Sequence, residues 1–245
     1  MEKIFLSPSG INLFLECPRC FWFATNKKIY RPRGPMPSIT IGVDTEIKKL
    51  FDYYRNIGKI PDFLEGKISG KLISTLPKTM YANFNSRVIL YGHLDEAVQL
   101  NDGMHKTSHH KTKNKKVESV QNIHPTYKIQ IAVYIKLLEE KFKKIQNYGY
   151  LAYYYPVYNS EKKWLDFEND LKKLEVKNEI DQIPLIVHNI IECIEHPVPQ
   201  PSEKCEYCNW LESIKTQKPG DIELKKELNI PETEIKIEEY KETLF

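Results

Sequence analysis

Arg87-Val88-Ile89-Leu90-Tyr91-Gly92-His93-Leu94-Asp95-Glu96-Ala97-Val98-Gln99-Leu100, then Asn101-Asp102-Gly103, then Met104 to Thr112, is the stretch on which the architecture turns. Its first part carries the β-branched, aromatic and alternating pattern of a strand and turns at Gly92. Asn-Asp-Gly is hairpin chemistry, because asparagine, aspartate and glycine tolerate the left-handed backbone such turns require. Met104 to Thr112 is therefore the returning strand. Lys106 to His110 are more polar than a central strand buried on both faces normally is.

Outward from this centre the period becomes helical. On the N-terminal side, Ser7 is an N-cap, Pro8 fits a first turn, and Ile11, Phe14, Leu15, Phe21 and Trp22 form a stripe. One helix is expected from Pro8 to Thr25, with Cys17 and Cys20 a turn apart on one face. Pro32, Gly34, Pro35 and Pro37 then force an irregular crossing. Ile41, Ile47, Leu50, Phe51 and Tyr54 mark a second helix with Asp44 and Glu46 in its first turn, and residues 58–70 read as a loop. On the C-terminal side, Tyr127, Ile131, Tyr134, Leu137, Leu138 and Phe142 make Pro125 to Lys144 an amphipathic helix. Tyr150 to Tyr158 and Trp164 to Phe167 are expected as strands about an Asn159-Ser160 turn, and Asp181 to Glu195 as a closing helix. Helices around a strand-forming centre make the fold class α/β. From Ser213 onward the chain is charged and poor in large apolar residues, so 213–245 is expected to be a flexible or transiently helical tail.

Composition narrows the class of protein. The chain has 245 residues, 41% hydrophobic and 28% charged, enough for one sizeable α/β core. No apolar run approaches the ~18 residues of a membrane span, and the N-terminus lacks a signal pattern. Five cysteines, an odd number, argue against a disulfide framework, and a cytoplasmic protein with no membrane partner is expected. The net charge of +3 identifies no partner, but it is unevenly spread. Lys106, Lys111, Lys113, Lys115 and Lys116 crowd one segment with His105, His109 and His110, a composition that can track a phosphate backbone or stand as a solvated loop.

Cys17-x-x-Cys20 and Cys205-x-x-Cys208 lie near opposite ends of the chain. Each pair supplies two adjacent thiolates, so a fold that joins its ends produces a tetrahedral sulfur site for a metal. Cys193 stands alone in a helical stretch and reads as a small buried apolar residue.

Taken in order, Ser7-Pro8-Ser9-x-Ile11-x-x-Phe14-x-x-Cys17-Pro18-Arg19-x-Phe21, Gly92-x-x-Asp95, Lys111-Thr112, and Gln130-x-x-x-Tyr134 resemble the PD-(D/E)XK nucleases of the RecB type. The likeness is strongest to the iron-sulfur branch that includes the CRISPR-associated RecB-like exonucleases and the AddB nuclease domain. It covers residues 5 to 210, and its strength lies in the order of the motifs. The resemblance implies a nuclease domain over 1–212 with a restriction-endonuclease-like core, a central mixed sheet flanked by helices, and metal-dependent hydrolysis of DNA. Within it, Asp95 matches the first metal-binding aspartate, Lys111 the motif lysine, and Gln130 with Tyr134 the helical motif that contacts DNA.

Two departures from the family pattern bear on activity. His109 stands where the family keeps a carboxylate, giving His109-His110-Lys111. An imidazole ligand shifts preference from Mg²⁺ toward Mn²⁺ or another transition ion, or removes activity altogether. The histidine that related nucleases often carry near the start of the second helix is missing, and Asp44 or Glu46 is offered instead. The family draws one cysteine from its N-terminal motif and three from its C-terminus; here Cys20 takes the vacant place. The resemblance implies a 4Fe-4S cluster on Cys17, Cys20, Cys205 and Cys208, with structural Zn²⁺ the alternative. The rival functions are a catalytically inactive DNA-binding protein on the same fold and a zinc-stapled interaction module whose tail docks a partner.

Overall fold

The hairpin forms as read and lies at the centre of the protein, in a computed structural model that describes residues 3–216 apart from 33, 35 and 36. Strand β4 (Val88–Gly92) ends at the glycine, and after a short bend β5 (Glu96–Leu100) continues into a different sheet. The Asn101-Asp102-Gly103 turn returns the chain into β6 (His105–Thr112), with Glu96 opposite Ser108 and Gln99 opposite His105. Gly103 takes φ +79°, a left-handed conformation that glycine adopts without steric cost.

Two mixed sheets flanked by helices result, so the α/β expectation stands. The three-stranded sheet has the order β1 (Ile4–Leu6), β4, β3 (Met80–Asn83), with β1 parallel and β3 antiparallel to β4. The five-stranded sheet has the order β2 (Gly70–Leu72), β5, β6, β7 (Tyr148–Asn159), β8 (Trp164–Glu175), with only the β6 to β7 pairing parallel.

Several expected boundaries are corrected. The first helix is not continuous. It ends as α1 (Pro8–Glu16), and α2 (Pro18–Trp22) starts afresh after Cys17, which is extended at φ −157°, ψ 105°. Pro18 is the cause: its ring disfavours helical geometry at the preceding residue. A π-helical turn over Phe23–Lys27 follows and is closed by left-handed Lys28. Helix α3 (Ser38–Asn56) begins earlier than expected, so Asp44 and Glu46 lie beyond its first turn. The 58–70 segment holds a short 3₁₀ turn at Asp62–Leu64 and leads into β2. Helix α4 (Pro125–Lys141) stops short of Lys144, β8 runs well past Phe167, and α5 (Lys177–Glu195) starts before Asp181. The expected tail begins inside α6 (Glu206–Thr216), and its remainder, 217–245, lies outside the described residues.

Two cores sandwich the larger sheet. On one face α4, buried along most of its circumference rather than amphipathic, contributes Ile129, Ile131 to Ile135, Leu137 and Leu138 against Val88, Leu90, Ala97, Leu151 and Tyr153. On the other, Ile47 and Phe51 of α3 cover Val98, Tyr150, Ala152 and Tyr154. Strand β6 is thus central and buried, with none of Lys106, Thr107, Ser108, His109 and His110 more than 7% exposed, against the expectation drawn from its polarity. Its polar side chains are met from adjacent elements. Lys106 lies over the Tyr148 ring at 3.6 Å, His110 against Phe51 at 4.3 Å and His109 edge-on to Tyr134 at 5.6 Å.

Candidate functional site

Alternation along β6 sends His109 and Lys111 toward α4 and His110 toward α3. Asp95 occupies the bend between the two sheets. Its Oδ2 accepts the backbone N–H of His110 at 2.9 Å and lies in contact with His109 Nδ1. Burial acts to raise the Asp95 carboxyl, but His109 and the His110 N–H outweigh it and lower the group to about 2. Burial lowers His109, which is therefore neutral at neutral pH, its Nδ1–H donated to Asp95. Both ring nitrogens are buried, and Nε2 has neither a hydrogen-bond nor an ion-pair partner among the described residues.

The second half of the predicted constellation meets the first on the α4 side. Gln130 Nε2 donates to Tyr134 Oη at 2.8 Å, and Tyr134 meets the His109 ring edge-on. Gly92 makes this approach possible: a Cβ there would lie 3.0 Å from the Tyr134 ring. Burial pushes the Tyr134 phenol up to about 12, so it stays protonated. Lys111 sits over the Tyr127 ring at 4.8 Å. Burial lowers its pKa, while the negative charges of Asp95 and Asp44 act to raise it. Asp44 is ion-paired to Lys48 at 2.6 Å and shares this electrostatic neighbourhood. Glu46 does not. It pairs with Lys49 at 2.8 Å and lines a different, apolar groove with Phe63 and Phe167.

Sequence reading missed the polar cluster on the opposite face of β6. Glu96, 4% exposed at its side chain, pairs with Arg55 of α3, which also contacts Asp52. Glu96 Oε1 lies 3.9 Å from His110 Nε2, and His110 Nδ1 is 3.3 Å from Tyr154 Oη. The adjacency Asp95-Glu96 was a usable signal, since successive strand residues face opposite sides of a sheet. An open cavity of about 680 Å³ borders both acids, with Lys48, Arg55, Lys78 and His93 in its wall.

The four paired cysteines converge. Cys17 in the break between α1 and α2, Cys20 on α2, Cys205, and Cys208 on α6 bring their sulfurs within 4.8 Å of one another. The closest separations are Cys20 to Cys205 at 3.6 Å, Cys20 to Cys208 at 3.6 Å and Cys17 to Cys208 at 3.9 Å. A tetrahedron with ~2.3 Å zinc–sulfur bonds has edges of about 3.8 Å, so these thiols fit a metal ion, as zinc or within an iron-sulfur centre. Burial would raise the Cys17 thiol, but backbone N–H groups at Cys20 and Ser202 and the neighbouring sulfurs bring it down to about 6. Arg31 reaches the cluster, its Nη2 3.4 Å from Cys205 Sγ, its Nη1 2.6 Å from Glu16 and its guanidinium 4.6 Å above Tyr207. Cys193 is half-buried on α5, outside the cluster.

Among the described residues no helix is long and apolar enough to cross a membrane. No family model matches the chain, and no curated protein does. Among solved structures, one described as "Crystal structure of SSO0001" is similar at 14% sequence identity and a TM-score of 0.42, with 86% of each chain covered.

Proposed function

We propose that the chain is a RecB-like PD-(D/E)XK domain with a restriction-endonuclease-like core, acting in the cytoplasm as a metal-dependent DNA nuclease. The observation that carries this reading is the meeting of Asp95, His109 and Lys111, all from one hairpin and its bend, with the Gln130–Tyr134 pair of α4. Taken singly these residues are ordinary.

One carboxylate and one neutral imidazole with a buried free lone pair suit Mn²⁺ better than Mg²⁺, which prefers oxygen donors. Asp95 and His109 are the residues that would hold the ion, the imidazole turning off the Asp95 carboxylate to do so, and Asp44 is a further carboxylate in the same electrostatic neighbourhood. Such an ion polarises a nonbridging phosphate oxygen and makes a neighbouring water more acidic. The protein's own groups do the rest. In the ion-free site Asp95 keeps the His109 ring in place through its contact with Nδ1. Lys111 supplies fixed positive charge where the phosphorane develops negative charge. Gln130 occupies one side of Tyr134 Oη as a donor, leaving the phenolic hydrogen free to donate to the DNA backbone.

The metal at the four cysteines is approached from two sides. The resemblance favours 4Fe-4S, whereas the sulfur separations favour a single tetrahedral ion, since the corners of a four-iron cluster hold their thiolates further apart. Iron, zinc and acid-labile sulfide analysis of the purified chain separates them.

A second reading, an inactive DNA-binding protein on the same fold, is favoured by two features. Asp95 Oδ2 is already engaged by two protein donors, and among the described residues only the four cysteines bring three or more metal-ligating groups into mutual reach. Cleavage assays on single- and double-stranded DNA in Mg²⁺ and in Mn²⁺, beside equilibrium binding, decide the matter. Binding without cleavage under either metal selects the second reading.

A further inference from the structure

We propose that Arg31 belongs to the metal centre as a positioning residue, donating a charge-assisted hydrogen bond to the Cys205 thiolate and stabilising the loaded site. The inference rests on the reading of the four cysteines as a metal site. It concerns a residue that no cysteine pattern reveals.

The argument begins with charge. Four thiolates around one divalent ion, or around an oxidised 4Fe-4S core, carry a net charge of about −2. Cys17 is 0% and Cys205 1% exposed, so water compensates little of it. A buried negative site without a nearby donor or cation is costly. Arg31 supplies both: its side chain is 17% exposed, and Nη2 stands 3.4 Å from Cys205 Sγ. The two other groups that hold the guanidinium belong to the ligand-bearing segments. Glu16, which accepts from Nη1 at 2.6 Å, immediately precedes Cys17, and Tyr207, whose ring it covers at 4.6 Å, immediately precedes Cys208.

The backbone explains how a residue eleven positions beyond Cys20 returns to it. The π-helical turn at Phe23–Lys27 and left-handed Lys28, locked by the Ile29 N–H to Phe23 carbonyl bond at 3.1 Å, reverse the chain after α2. Residues 29–31 thereby fold back beside α6. Arg19, the other arginine among the described residues at this end, is directed elsewhere: it pairs with Glu212 at 3.8 Å, so the roles differ. Lysine could not serve Glu16 and Cys205 at once with this geometry, because the planar fork presents separate nitrogens to each.

The test uses the full chain, loaded with its metal, and a chelator competition read as metal release. Arg31→Met is expected to lower metal affinity by about 10- to 100-fold, the usual effect of losing an outer partner, with Arg31→Lys recovering part of it. Glu16→Gln, which breaks the ion pair but spares the sulfur contact, should have the smaller effect. A spectroscopic signature separates this from general loosening. In the Co²⁺-substituted protein the sulfur-to-cobalt charge-transfer band should move to lower energy in Arg31→Met, because an undonated thiolate is more electron-rich. If the bound group is iron-sulfur, the reduction potential should fall instead. Should Arg31→Met fail to fold, the same comparison is made with Arg31→Lys. Wild-type metal affinity together with an unshifted band or potential in the variant overturns the proposal while leaving the metal centre standing. A wild type that takes up neither zinc, cobalt nor iron overturns both.

Discussion

His109 turns its Nδ1 onto the Oδ2 of Asp95, the same oxygen that accepts the His110 backbone N–H at 2.9 Å. The two residues are fourteen positions apart, joined by the β5–β6 hairpin. Because burial keeps the imidazole neutral, its proton sits on Nδ1 and its lone pair on Nε2. That nitrogen is buried with no hydrogen-bond partner among the described residues.

The metal preference follows from this pair. Weak cleavage of DNA is expected in Mn²⁺ and less in Mg²⁺, with Asp95→Ala and Lys111→Ala each reducing the rate by about 10²-fold or more. His109→Asp rebuilds an all-oxygen set and should raise the Mg²⁺-dependent rate. If His109→Asp is as inert as wild type in both metals while DNA binding persists, the nuclease reading is lost.

Acid stability depends on the same two groups. Asp95 is lowered from 3.8 to about 2, so its contribution is present above pH ~4 and is lost as pH falls through about 2. His109 is lowered from 6.5, so it too contributes above that value and loses its contribution as pH falls, because charging it in the interior is unfavourable. Asp95→Asn should remove about 2 kcal/mol of the pH-dependent stability between pH ~4 and ~2, measured by urea unfolding across that window. An unchanged pH slope in the variant would show that the carboxylate is not held by these donors.

On the other face of β6, Glu96 and Arg55 form an ion pair with side chains 4% and 17% exposed. Removing one partner leaves the other charged and buried, which typically costs about 3–5 kcal/mol. Glu96→Ala is therefore expected to lower the melting temperature strongly. The double variant Glu96→Met with Arg55→Met, which buries no lone charge, should recover much of the loss. Equal destabilisation by the single and double changes would mean that packing, not charge, is at stake there.

What the sequence disclosed and what it hid divide along physical lines. The Asn101-Asp102-Gly103 turn, helix α4 and the two cysteine pairs were legible because local chemistry dictates them. The burial of β6 was not, because Lys106, His109 and His110 are accommodated by Tyr148, Tyr134 and Phe51 from three distant elements. Strand β8 extends beyond the expected Phe167, a length left unmarked because, at the sheet edge, it carries Asp166, Glu168, Lys172 and Lys173 with little apolar alternation. The break at Cys17 was legible in principle: Pro18 forbids a smooth helix, and the stripe of apolar residues obscured that signal. Arg55 with Glu96 and Arg31 with Cys205 meet across long sequence separations, which a single sequence without periodic pattern does not display.

The four-cysteine site joins the segment around α2 to α6, so a metal bound there would contribute directly to folding. Cys17→Ala or Cys208→Ala should abolish stoichiometric metal and lower the melting temperature, whereas Cys193→Ala, outside the cluster, should leave metal content unchanged. A metal-free wild type that melts cooperatively at the same temperature as the loaded protein would sink the staple.

The basic segment gives the last prediction, in a form the fold revises. Lys106 is buried over Tyr148, so it is not free to follow a DNA backbone, and Lys111 is held over Tyr127 at the candidate site. Lys115 and Lys116, exposed, remain available in the stretch after β6, and Lys113, half-buried 5.6 Å over the same Tyr127 ring, is partly so. If that stretch meets phosphates, the slope of log affinity against log salt on duplex DNA should flatten by about 0.9 for each lysine–phosphate pair removed. Lys113→Ala with Lys115→Ala is expected to reduce it by up to about two units, while Lys106→Ala should leave the slope alone and instead destabilise the fold. Because counterion release counts only charges that meet phosphates, a slope that Lys106→Ala alters as much as the Lys113 and Lys115 changes do would place the interface elsewhere. Affinity indifferent to salt in the wild type would remove the phosphate backbone as the ligand of this segment.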